Sequence, residues 1–118
     1  MPDDIKVNPE LGLIEIRSYG NESQEDLEAI INKVLHINTK TSIDRVLVDT
    51  TQLQSLPSTV NIFSTMSSLP LKIKVALIAT KNQPTANDIR FGETVARNRG
   101  IRFQTFSAIS DAIEWLSK

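Results

Sequence analysis

Residues 74–118, KVALIATKNQPTANDIRFGETVARNRGIRFQTFSAISDAIEWLSK, decide the fold. Lys74–Ala79 is a short, mostly apolar run and reads as a strand. Asp88–Arg99 carries Ile89, Gly92, Val95 and Ala96 at helical spacing and is closed by Gly100, with Thr85 or Asn87 to cap its start. Ile101–Phe106 reads as a second strand. Ala108–Ser117 reads as a second helix, with Ser107 as cap and a stripe of Ile109, Ala112, Ile113 and Leu116. Strand, helix, strand, helix, with a start or stop signal at each join, implies an α/β domain with parallel strands. The pattern names no reaction.

The upstream half extends the same rhythm. Ile5–Asn8 and Leu13–Ser18 alternate apolar and polar residues around Pro9-Glu10-Leu11-Gly12, as in an antiparallel hairpin. Ser23 opens a helix, with Asp26 three residues on as an acidic capping box. Glu22, Glu25 and Asp26 bring negative charge to the positive end of the helix dipole. Leu27, Ile30, Ile31, Val34 and Leu35 form its buried stripe, and Asn38–Thr41 ends it. Arg45–Asp49 reads as a strand. Thr50–Leu56 leads into a further helix that starts near Ser55 or Ser58, buries Ile62, Phe63, Met66 and Leu69, and stops at Pro70. The other face of that helix is rich in hydroxyls and carries no charge. No internal repeat or linker divides residues 1–118, so one domain is expected.

Side chains alternate faces along a strand. Ile14, Ile16, Val46, Val48, Val75, Leu77 and Phe103 fall on one side of the expected five-stranded sheet. Glu15, Arg17, Lys74, Arg102 and Gln104 fall on the other, around Leu47, Ala76 and Ile78. Parallel strands covered on both faces are apolar throughout. The helices are therefore expected mainly on one face, with Val48, Leu77 and Phe103 beneath them and the second face partly open. An apolar centre with a polar rim has the anatomy of an interface. A homodimer is expected, through this face or through the hydroxyl-rich helix.

Composition excludes several functions. The 118 residues carry a net charge of -1, which gives no electrostatic case for nucleic acid or an anionic membrane. No apolar run approaches a membrane span and no signal peptide is visible, so a cytoplasmic location is expected. With no cysteine and one histidine, His36, there is no disulfide, cysteine–histidine pair or multi-histidine metal site to build. His36 near a helix C-terminus fits a dipole role. The four glycines, Gly12, Gly20, Gly92 and Gly100, write neither a phosphate loop nor a dinucleotide fingerprint, and no cofactor is expected.

The element order, with Val46-Leu47-Val48-Asp49, Phe91-Gly92-Glu93-Thr94-Val95-Ala96, Asn98-Arg99-Gly100 and Asp111-Ala112-Ile113-Glu114-Trp115-Leu116, resembles the STAS family. More narrowly, it is similar to small stand-alone STAS/SEC14-like bacterial proteins, over nearly the whole chain. The resemblance implies an N-terminal hairpin followed by repeated α-β units. It also implies a non-catalytic regulatory or protein-interaction module with an unidentified protein partner. Antagonists of anti-sigma factors in that family carry an Asp-Ser-Ser-Gly element whose first Ser is phosphorylated. Counting on from Asp49 puts that Ser at Ser58, here with Pro57, Thr59 and Val60 as neighbours.

Ser58 and Thr59 thus have two readings, a phosphorylation or partner site and plain helix capping. A phosphate at a helix start meets free amides and the dipole. Asp49 and Thr50 at a strand's carboxyl end, with Lys81 and Ser107 after the next strands, mark where open α/β sheets bind ligands. Their other reading is loop solvation. Together they define the alternative function, a binder of a lipid, nucleotide or other anion. Arg90, Arg97, Arg99 and Arg102 read first as a solvated face with ion pairs, and Trp115 as a packing residue at the edge of the core.

Overall fold

A computed structural model describes residues 3–58, 64–65 and 67–118. Five strands form one sheet in the order β1 (Asp3–Asn8), β2 (Leu13–Asn21), β3 (Arg45–Ser55), β4 (Lys74–Ile78), β5 (Arg102–Phe106). The hairpin pair β1–β2 is antiparallel and the other pairs are parallel. The described helices are α1 (Gln24–Thr41), α2 (Ala86–Asn98) and α3 (Ile109–Leu116). The hairpin turns at Gly12, whose φ of 67° suits a residue without Cβ.

Local chemistry sets the helix ends. Ser23 Oγ accepts from the Asp26 amide at 3.1 Å, and Asp26 Oδ2 accepts from the Ser23 amide at 3.0 Å, which closes the expected capping box. The Ser23 amide first, and then the Ser23 side chain, hold the Asp26 carboxyl below its ordinary pKa. Helix α1 ends at Thr41, the last residue of the expected Asn38–Thr41 stop. Buried Asn38 then donates to the Ile43 carbonyl at 2.8 Å and ties the helix to the approach of β3. Strand β3 is longer than the expected Arg45–Asp49, because Tyr19–Asn21 of β2 continue to pair with it past two register irregularities.

Two apolar layers enclose the sheet. On one side Ile14, Ile16, Val46, Val75, Leu77 and Phe103 pack with α1 and α2, as the alternation requires; Leu77 and Phe103 are buried and Val48 is half-buried. The other side corrects an expectation. Leu47, Ala76 and Ile78 are not open to a second subunit. Helix α3 lies over them, and Ala112 and Leu116 are fully enclosed. A dimer through those three side chains is closed off. Ser107 is not the cap of α3. Ala108 occupies that position and makes no side-chain cap bond. Of the expected helix after Pro57, Ser64 and Thr65 are described as helical, whereas Ile62, Phe63 and Met66 lie outside the described residues.

Candidate functional site

Strand parity separates the predicted ligand residues. Val46, Val48 and Thr50 share one face of β3, and Leu47 and Asp49 share the other. Thr50 is buried, and its hydroxyl donates to the Ile78 carbonyl at 2.8 Å, clamping β3 to β4. Gln83 completes that clamp. Its amide donates to the Thr50 carbonyl at 3.1 Å and to Thr85 Oγ1 at 2.9 Å, and its carbonyl accepts from the Thr80 amide at 2.8 Å. Thr50 is therefore a structural crosslink.

Asp49 accepts from the Thr51 amide and hydroxyl at 2.9 and 2.7 Å and lines a groove with Arg17, Leu47, Ile78 and Ile109. Lys81 and Ser107 are exposed, and neither bonds to Asp49 or Thr50. The four residues do not converge on one site. Ser58 is exposed just beyond β3, and Thr59 lies outside the described residues.

A different site assembles between the sheet, α1 and α2. A cavity of about 120 Å³ is lined by aliphatic side chains, among them Ile16, Val48 and Leu77 from the sheet, Leu27 and Ile31 from α1, and Ile89 from α2. Its polar lining among the described residues is Ser18, Glu22, Thr50 and Asp88. Glu22 is only 5 % exposed, and Asp3 beside it is 7 % exposed. Burial first, then a side-chain hydrogen bond to Asp3 and the charges of Asp3 and Asp26, pushes the Glu22 carboxyl up to about 9. At neutral pH Glu22 keeps its proton and joins Asp3 through it. Ser18 Oγ donates to the other Asp3 oxygen, Oδ1. Glu22 does not act as a helix-dipole anion, contrary to its expected role. The triad pins β1 to β2 and to the entry of α1, and it gives the cavity a neutral acid at its edge.

The sequence reading missed this triad. A signal existed: Asp3 is two residues before Ile5, so it shares the inward face of β1 once Ile5 is set opposite Ile16.

No family model matches the chain, and no curated protein matches it. Solved structures do. One is an uncharacterised protein of the DUF3478 family with a SpoIIAA-like fold, from Shewanella loihica PV-4. It has a TM-score of 0.65 and 20% identity, covering 97% of this chain and 93% of that one. Another is the anti-sigma factor antagonist SpoIIAA in its unphosphorylated form, with a TM-score of 0.59 and 13% identity, covering 96% of both chains. The fold is STAS-like. The mixed five-stranded sheet and the N-terminal hairpin agree with that assignment. No described helix is long and apolar enough to cross a membrane, and no described group of acidic or histidine side chains could hold a metal ion.

Proposed function

We propose that this chain is a non-catalytic regulatory module that acts in the cytoplasm by binding a partner protein. The observation that carries the reading is the likeness, over 96% of the chain, to the anti-sigma factor antagonist SpoIIAA. The absence of cysteine and the single histidine in the sequence support the non-catalytic part. Ser58 and Thr59 are the proposed regulated positions, because counting on from Asp49 brings the antagonists' phosphorylated serine to Ser58. The test is affinity capture with the tagged chain from its native host, followed by calorimetry with the purified partner. Saturable binding supports the reading, and no saturable partner retires it.

A second reading is favoured by the cavity. Its aliphatic lining and neutral Glu22 suit a small apolar ligand, and the described lining contains no cation for a nucleotide or other anion. A ligand that binds only the folded state raises the melting temperature. A thermal-shift series of short-chain alcohols and fatty acids tests this, and no shift at saturating concentration rejects it.

A further inference from the structure

We propose that Arg45 and Arg102, the outer members of a row centred on Lys74, form a docking site for an acidic segment of a partner protein. This deepens, and rests on, the partner-binding reading above.

The row follows from register. Arg45 pairs with Lys74 across β3–β4, and Lys74 pairs with Arg102 across β4–β5. The three therefore stand side by side on adjacent strands, about 4.8 Å apart, on the sheet face that α3 covers. Like charges directly opposite on neighbouring strands destabilise a sheet. Lys118 and Asp44 also act on Lys74, as a fourth cation and a single acid. Burial first, then Arg102, Arg45 and Lys118, holds the Lys74 ammonium below its ordinary pKa. The chain as a whole has fewer cations than acids, 13 against 14, so this concentration is local.

Part of the row has a structural use. Lys74 Nζ donates to the Trp115 carbonyl at 2.7 Å and sits 4.5 Å from the Trp115 ring centre. Helix α3 has no basic residue in its last turn, so Lys74 supplies the positive charge its C-terminus favours. That use needs one cation. The flanking arginines remain. Arg102 is exposed and donates to the Lys72 carbonyl at 3.3 Å, and Arg45 is half-buried. The ion pairs among the described residues, Lys6–Glu15 and Lys118–Glu114, include none of the three.

Spacing favours a peptide. Arg45 and Arg102 are two strand spacings apart, about 10 Å, and carboxylates three residues apart on a polyproline II segment, which share one face at three residues per turn, are about 9 Å apart. The net charge of -1 disfavours a nucleic acid.

The experiment uses the full chain and fluorescein-labelled decaglutamate, read by anisotropy and by amide chemical shifts. Binding should be saturable in low salt and weaken steeply as salt rises, with shifts centred on Arg45, Lys74, Arg102 and the Trp115 indole. Arg45→Gln with Arg102→Gln should weaken it at least about tenfold, with the melting temperature unchanged or raised as repulsion is relieved. Arg90→Gln with Arg97→Gln, on exposed positions of α2, should leave it unchanged. Absence of saturable binding, equal binding by the row variant, displacement by equimolar inorganic phosphate, or tighter binding of a short DNA duplex each overturns the proposal. A native partner that binds wild type and the row variant equally also overturns it, and leaves the module reading standing. Decaglutamate held at the row with no native partner found retires the module reading and keeps the acidic-segment site.

Discussion

Replacing Glu22 by glutamine should change how stability depends on pH, and the size of the effect follows from burial. The unfolded chain releases the Glu22 proton near 4.5, whereas the folded chain holds it until about 9. Between those values the folded state binds one more proton than the unfolded state. Stability therefore falls as pH rises, by at most about 1.4 kcal/mol per pH unit for this one group. From pH 6 to pH 8 that is about 2.7 kcal/mol, or roughly 8–16 °C in melting temperature for a domain of this size.

Two other groups are shifted, both downward. Asp26, held low by Ser23, contributes stability that is lost only as pH falls through its folded value. Lys74, also held low, costs stability that is recovered at alkaline pH. Urea unfolding of wild type and Glu22→Gln at several values from pH 5.5 to 8.5 isolates the Glu22 contribution, because the variant keeps shape and a donor but cannot ionise. The difference should grow in favour of the variant as pH rises. Asp3→Asn should flatten the wild-type slope, since Asp3 supplies both a hydrogen bond and a charge that raise Glu22. Parallel curves for wild type and Glu22→Gln, or a Glu22 carboxyl carbon that titrates near 4.5, would refute the buried shared proton.

Further outcomes are open to measurement. Leu77→Ala removes a buried side chain from beneath α1 and α2 and should cost about 2–5 kcal/mol in denaturant unfolding. Gln83→Ala leaves the Thr80 amide without its acceptor and strips donors from Thr50 and Thr85, so about 1–3 kcal/mol should be lost. Ser58→Asp should alter partner affinity while the melting temperature holds, and Ser58→Ala should cost about 1 kcal/mol at most. Phosphopeptide mapping that finds Ser58 and Thr59 unmodified, with partner binding indifferent to both variants, would leave only the capping role.

Element order, the hairpin and the main core were legible because each rests on short-range signals. Ile14, Ile16, Val46, Val75, Leu77 and Phe103 declare a face by parity alone, and Ser23 with Asp26 declares a helix start by spacing alone. The position of α3 was not legible in the same way. Its stripe of Ala112, Ile113 and Leu116 shows that it packs on something, but not which face of the sheet receives it. Charged residues at Lys74 and Arg102 argued for an open face, and the structure resolves that conflict by burying the Lys74 stem while satisfying its ammonium at the end of α3. The shared proton of Asp3 and Glu22 was harder still. It depends on hairpin register and on the path from β2 into α1 at once, and each carboxyl taken alone reads as a surface acid.

Helix α3 links the interaction reading to the packing. By covering Leu47, Ala76 and Ile78 it removes the apolar patch that would have paired two sheets. By ending beside Lys74 it brings a ring and a carbonyl onto the middle cation of a row already set by strand register. Lys74 is thereby committed within the chain, and Arg45 and Arg102 are left as the groups able to meet a partner's carboxylates. On the opposite face, Glu22, Thr50 and the aliphatic cavity belong to the α1 and α2 layer. A partner at the row and a ligand in the cavity would contact opposite sides of β3 and β4. Occupancy of one would reach the other only through those strands, which Thr50 in the middle of β3 and Gln83 beyond β4 hold together.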